Sequence, residues 1–198
     1  MDALKIKVII GTTREGRFSE KPANWIMERL KGKEGVEAEL LDLRDYPLPF
    51  FEESDSPNYK KAPYSNPTVV AWTAKIAEAD GFIVVTGEYN HGYPAVLKNA
   101  FDYVSANEWG NKPIAFVSYG SALGNRAIVA LRVVAIELGL APVRFSVNIP
   151  SDIYAAAGKL DAAASVDAFK PLDERADGVI NLITSWGRAL KEVREKKA

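Results

Sequence analysis

The chain contains no cysteine. That excludes disulfides, thiolate nucleophiles, iron–sulfur clusters and Cys-ligated zinc. Histidine is nearly absent too: His91 is the only one, and no metal site is expected. No apolar run approaches the roughly 18 residues that a membrane-spanning helix needs. An excess of either charge is missing. The 25 Lys and Arg residues against 26 Asp and Glu leave a net charge of -1, which weighs against non-specific nucleic-acid binding. The first residues show no signal-peptide cleavage pattern, and a cytoplasmic location is the expectation. There is no internal repeat and no low-complexity tract. Neither G-x-x-x-x-G-K-[ST] nor G-x-G-x-x-G occurs, which argues against a P-loop nucleotide site and a Rossmann pyrophosphate site. What is present is 198 residues, 47% hydrophobic and 26% charged. Those values suit a single globular domain spanning residues 1–198.

Short apolar runs alternate with amphipathic segments, the pattern of an α/β fold. Strands are expected at Ile6–Ile10, Val36–Leu43, Phe82–Thr86, Ile114–Ser118 and Val143–Ile149. Helices are expected at Ser19–Leu30, Thr68–Ala79, Ala95–Val104, Gly124–Leu138 and Leu172–Glu195. The last carries Val179, Leu182, Ile183, Trp186 and Val193 as its apolar stripe. The first, third and fourth strands are nearly continuous apolar runs, as central strands buried on both faces require. The second and fifth alternate, as strands with one wetter face do. The expected architecture is therefore a flavodoxin-like doubly wound five-stranded parallel sheet, order 2-1-3-4-5, with helices on both faces. Its ligand edge lies at the carboxyl ends of the first and third strands. Two segments stand outside this unit. Asp45–Pro67 holds five of the 11 prolines together with Tyr46, Phe50, Phe51, Tyr59 and Tyr64. Ser151–Pro171 reads as an Ala-rich connector without evident chemistry.

Three loops converge on the ligand edge. The first, Gly11–Ser19, offers hydroxyls from Thr12, Thr13 and Ser19 and charged donors from Arg14 and Arg17, ahead of a helix N-terminus. This is donor chemistry for a phosphate. The second, Gly87–Ala100, offers the aromatic face of Tyr89 and the amide of Asn90, with Gly87 and Gly92 permitting close backbone approach. That set suits a flat heterocycle. The third, Ser118–Arg126, is rich in small residues. Among the tryptophans, Trp25, Trp72 and Trp186 fall in helical segments and are expected in a core or interface. Trp109 falls in a loop and is a candidate for the substrate site.

On these residues the sequence resembles the NAD(P)H-dependent FMN reductase family, flavodoxin-like enzymes that include quinone, azo and chromate reductases. The likeness rests on Gly11-Thr12-Thr13-Arg14 with Ser19, on Glu88-Tyr89-Asn90 with Pro94 and Leu97-Lys98-Asn99-Ala100, and on Gly124-Asn125-Arg126-Ala127 with Leu131-Arg132. It runs from the first strand to the fifth. It departs at Gly87, where the family often has Pro, and at Gly92, where it often has Ser. The resemblance implies FMN as cofactor, its phosphate held by Thr12, Arg14 and Ser19 with Thr13 and Arg17 nearby. Glu88, Tyr89, Asn90 and His91 would border the isoalloxazine, and Ser118 and Gly120 would lie on its other flank. It implies hydride transfer from NADPH (or NADH) through flavin N5 to a small-molecule acceptor such as a quinone, an azo compound or free flavin, in ping-pong order. No protein acid or base is required for that step. Arg17 is the residue expected to reach a 2′-phosphate. His91 is read as a loop residue beside the flavin.

The alternative is a non-enzymatic flavodoxin-type electron carrier. The near-neutral charge and the arginines of the first loop favour the reductase. A phospho-acceptor receiver of the same fold needs an Asp after the first strand, where Gly11 and Thr12 stand instead. Between Ala127 and Leu138 only Arg132 and Glu137 are charged. A helix so apolar needs cover on more than one side. A homodimer or homotetramer is expected, with the aromatic loop Asp45–Pro67 near a shared flavin pocket.

Overall fold

The apolar runs form strands, and their alternate residues feed two cores. In β3 (Gly81–Gly87), Ile83 and Val85 point into one cluster while Phe82 and Val84 point into the other, as strand geometry requires. The computed structural model describes residues 2–60 and 62–196. Its sheet is parallel, with β1 (Leu4–Ile10), β2 (Val36–Asp42), β3 and β4 (Pro113–Tyr119) followed by two short strands. The order is β2-β1-β3-β4-β5, with β6 also paired to β4. The expected 2-1-3-4-5 winding is observed. The central strands are buried almost throughout, whereas β2 is half-buried at the edge. Ile10 lies opposite both Asp42 and Val85, and Gly87 lies opposite Tyr119. The loops after β1, β3 and β4 therefore open at one edge of the sheet.

The fifth strand is not the continuous Val143–Ile149 segment expected. It is split into β5 (Ala141–Pro142) and β6 (Val147–Asn148). Between them the chain advances from Pro142 to Val147 while β4 advances only from Ile114 to Val117, so two extra residues bulge outward. Pro142 has no N–H for the ladder. Arg132 occupies the carbonyls of Val143 and Arg144, at 2.7 and 3.1 Å.

On one face pack α1 (Glu20–Leu30), α6 (Ser151–Gly158), a 3₁₀ segment (Ala164–Leu172) and α7 (Asp173–Glu195). On the other pack α2 (Pro67–Ala77), α3 (Ala95–Asp102), α4 (Ala106–Trp109) and α5 (Asn125–Glu137). The Ser151–Pro171 connector is thus largely helical, and Phe169 anchors it by stacking on Trp25 at 5.2 Å. Trp109 is not available to a substrate. It closes α4, whose capping box pairs Ser105 with Glu108, and it is fully buried between Phe101 and Phe82. The buried stripe of α7 is Ala176, Val179, Ile180, Ile183 and Gly187. A Cβ at Gly187 would lie 3.4 Å from Leu4. This close approach turns Trp186 and Val193 outward.

The aromatic loop Asp45–Pro67 folds back on its own domain. Tyr46 meets Trp72 edge-on, and Phe51 and Tyr64 both meet Tyr103. The Asn99 side chain accepts from the Phe51 amide and donates to the Pro49 carbonyl. Phe50 and Tyr59 stay exposed. On α5, Ile128, Leu131 and Ala135 are buried, while Val129, Val133 and Ile136 form an outer stripe about two-thirds exposed. No described helix is long and apolar enough to cross a membrane.

Candidate active site

The first loop passes so close to α3 that only glycine fits at its start. A Cβ on Gly11 would stand 2.9 Å from Leu97 and 3.2 Å from the Val85 carbonyl. Thr12 and Ser19 are fully buried, their hydroxyls 2.7 Å apart, and the Ser19 hydroxyl lies 2.7 Å from that of Tyr119. Three hydroxyls carry three protons and the two links use two of them, so one donor remains for a further acceptor. Ser19 makes no side-chain cap to α1, and the first turn is closed instead by the Lys21 and Ala23 amides on the Phe18 and Ser19 carbonyls, both at 3.1 Å. Arg14 is exposed, its guanidinium 5.4 Å from the Tyr89 ring centroid.

Arg17 takes a different place from the one expected. Its side chain is 2% exposed, and four of its five N–H donors are engaged, by Glu20, the Thr12 carbonyl and both oxygens of Asp42. It is therefore not free to meet a nucleotide 2′-phosphate. Arg44, just past β2, donates to the carbonyls of Thr13 and Arg14 at 3.1 and 2.6 Å and to Glu20 at 3.0 Å. Burial opposes ionisation of Asp42. The bonds from Arg17 and the Arg44 amide outweigh it and hold the carboxyl below its usual range. Among the described residues, the N–H groups of Thr13, Arg14 and Glu15 have no protein acceptor.

The second loop begins with a tight hairpin. The amides and carbonyls of Tyr89 and Gly92 bond reciprocally at 2.8 and 3.0 Å, and the two residues between have φ of 47° at Asn90 and 74° at His91. Positive φ at both central positions defines a type I′ turn. The left-handed residues are Asn90 and His91, not Gly92. The Glu88 side chain is 3% exposed and ion-paired to Arg126. It also accepts from the Arg126 amide at 3.1 Å. Burial raises its pKa, but these bonds prevail and keep it a carboxylate. Arg126 Nη1 lies 3.2 Å from Nδ1 of the exposed His91. A guanidinium can only donate, so Nδ1 accepts and the proton of the neutral ring sits on Nε2.

The third loop leans on the second. Gly120 has φ of 145°, and a Cβ there would stand 3.1 Å from the Glu88 Cβ. The Ser118 hydroxyl donates to the Leu123 carbonyl at 2.7 Å and accepts from Asn148 at 3.0 Å. It braces the loop. Beside the first loop, Thr13, Leu43, Tyr46, Phe50, Val96 and Asn99 line part of a cavity of about 380 Å³. The aromatic loop therefore borders the site from its own subunit.

The residues of this edge fall within the segment 4–153, which matches the model of the NADPH-dependent FMN reductases. The chain belongs to the NADPH-dependent FMN reductase family. It is 39% identical over 150 residues to an NAD(P)H-dependent FMN reductase of Schizosaccharomyces pombe, covering 75% of this chain and 74% of that one. An NAD(P)H:quinone oxidoreductase of Solanum tuberosum is 35% identical over 141 residues, covering 69% and 70%. A flavoenzyme NAD(P)H:(acceptor) oxidoreductase from Paracoccus denitrificans superposes with a TM-score of 0.60 at 20% identity, over 89% of this chain and 98% of that one. That last likeness concerns the fold. The protein is an oxidoreductase of the FMN- and quinone-reductase type.

In this reductase the expected site residues do share one edge. Thr12, Thr13, Arg14 and Ser19 lie in the first loop, Glu88 to His91 in the second, and Ser118 and Gly120 at the start of the third. Sequence reasoning missed Asp42, Arg44, Tyr119 and Asn148. Asp42 carries a usable signal: an acidic residue at the carboxyl end of a strand beside an arginine-rich loop. Tyr119 directly follows the expected end of the fourth strand on the ligand edge. Arg44 and Asn148 carry no sequence signal of their own.

Proposed function

We propose that the protein is an FMN-dependent reductase that takes hydride from NAD(P)H and passes reducing equivalents to a small-molecule acceptor such as a quinone, an azo compound or free flavin. The observation that carries this reading is the donor set between the first two loops. Three peptide N–H groups without protein acceptors, the exposed Arg14 and one spare hydroxyl proton stand together, and such a set fits a phosphate dianion. When bound there, FMN supplies the two-electron chemistry between nicotinamide and acceptor. The chain's own residues do the rest. Thr12, Thr13, Arg14 and Ser19 hold the phosphate. The Tyr89–Gly92 turn, fixed by Glu88 and Arg126, borders the ring system. Gly120 allows the third loop to close against Glu88 on the opposite flank. His91 presents Nε2–H at the rim and is not required as an acid. Nicotinamide and acceptor use one exposed face in turn, which gives ping-pong kinetics.

The exposed stripe Val129, Val133 and Ile136 supports a homodimer or higher oligomer, in which burying the stripe removes apolar surface from water. The runner-up function is an electron carrier. An absorption spectrum of the purified protein, followed by stopped-flow mixing with NADPH, separates the two. Rapid bleaching of the flavin band and turnover with a quinone are expected. A protein that stays oxidised is a carrier, and one that binds no flavin is neither.

A further inference from the structure

Three consecutive carbonyls of the first loop, those of Thr12, Thr13 and Arg14, all accept hydrogen bonds from arginine side chains: the first from Arg17, the other two from Arg44. These arginines are tied in turn to the end of β2. Asp42 takes the Arg17 fork and also the Arg44 amide, at 2.8 Å, and Glu20 bridges the two guanidinium groups. The peptides here are trans. In a trans peptide the C=O of one residue and the N–H of the next point in opposite directions. Carbonyls drawn toward the arginines therefore turn the N–H groups of Thr13, Arg14 and Glu15 the other way, and none of these three has a protein acceptor.

We propose that Arg17, Arg44 and Asp42 are positioning residues. They act on the carbonyl side of the loop, hold its N–H groups aimed at the phosphate, and thereby make the site select a phosphorylated flavin over the same flavin without phosphate. The proposal rests on the FMN reading above, and it separates two kinds of arginine in one motif. Arg14 meets the ligand. Arg17 and Arg44 bind the carbonyls of the loop and work through the backbone. A site preorganised in this way loses no ordering free energy when the anion arrives.

The test uses Arg44, which is 38% exposed and whose replacement leaves the core intact. Flavin-stripped protein is titrated calorimetrically with FMN and, in parallel, with riboflavin. In Arg44→Ala the FMN dissociation constant rises about tenfold or more, the loss expected for one misaligned hydrogen bond to an ionised acceptor, while riboflavin stays within about twofold. Arg44→Lys keeps the charge but not the fork that spans two carbonyls, so it behaves like Arg44→Ala. Full FMN affinity in Arg44→Lys overturns the proposal, because charge alone then suffices. An equal loss for both ligands also overturns it, because the loop has then merely loosened. Wild-type protein that binds FMN no more tightly than riboflavin overturns the flavin-phosphate reading, and the positioning role with it.

Discussion

Replacing Asp42 by Asn isolates the ion pair that anchors the first loop. Arg17 is almost wholly buried and Asp42 has a side-chain exposure of 20%. Removing one partner of a buried pair typically costs about 3–5 kcal/mol, because the other charge is left uncompensated. Two features reduce that here. Glu20 still accepts from Arg17 Nε at 2.8 Å, and the Asn carbonyl retains one acceptor. An unfolding free energy lower by about 2–3 kcal/mol is therefore expected, below the full range for a broken buried pair. Urea denaturation followed by tryptophan fluorescence measures it as a lower midpoint at unchanged slope. The pH dependence adds a second check. The folded-state pKa of Asp42 is depressed, so its stabilisation is present above the unfolded value and lost as pH falls through the folded one. Wild type and variant should differ most near neutrality and converge under acid, below roughly pH 4, the ordinary carboxylate range. A loss under about 0.5 kcal/mol at neutral pH, the scale of an exposed pair, refutes the reasoning. So does a difference that persists undiminished at pH 3 or below, about a unit under the ordinary Asp value.

Arg14→Ala should weaken FMN binding by about 1.5–3 kcal/mol, one charge-assisted hydrogen bond, as read by fluorescence titration of the apoprotein; an unchanged constant places the phosphate elsewhere. His91→Gly should stabilise the protein by about 0.5–1 kcal/mol by removing a left-handed residue with a Cβ from a type I′ turn. Its turnover with quinones should be unchanged, and a fall in kcat despite higher stability would make His91 a proton donor. Trp109→Ala should cost about 3–5 kcal/mol in chemical denaturation, as a fully buried aromatic does; a near-neutral effect would return Trp109 to the substrate site. Val133→Asp should shift the species seen by light scattering toward the monomer, and an assembly that withstands it does not use the α5 stripe.

The sheet was legible because its signals are local. Continuous apolar runs mark strands covered on both faces, and the alternation of Val36, Ala38 and Leu40 against Glu37 and Glu39 marks an edge. The fifth strand was misjudged because its alternation is genuine, but Pro142 and the reach of Arg132 into two carbonyls interrupt the ladder. Neither effect shows as a pattern. Ala106–Trp109 was missed because four residues lie below any helical period, although the Ser105–Glu108 box was visible. At the site, residue types pointed to one edge of the sheet but not to each side chain's partner. Arg14 and Arg17 are equivalent on paper. What distinguishes them is Asp42, twenty-five positions further along, and a pairing at that separation follows only from the parallel register of β1 and β2.

The split fifth strand bears on how copies of the protein meet. A long, flat outer strand offers unpaired amides and carbonyls to a neighbouring sheet. Here the ladder beyond β4 is two short pieces with a bulge between them, and a guanidinium already fills two of the carbonyls there. At the opposite margin, the exposed Glu37 stands on β2, and an approaching copy of that strand would bring like charges together. Neither margin is a template for strand addition. Strand addition at either margin is therefore disfavoured, and contact between copies is left to helices and loops, with each sheet closed to the other.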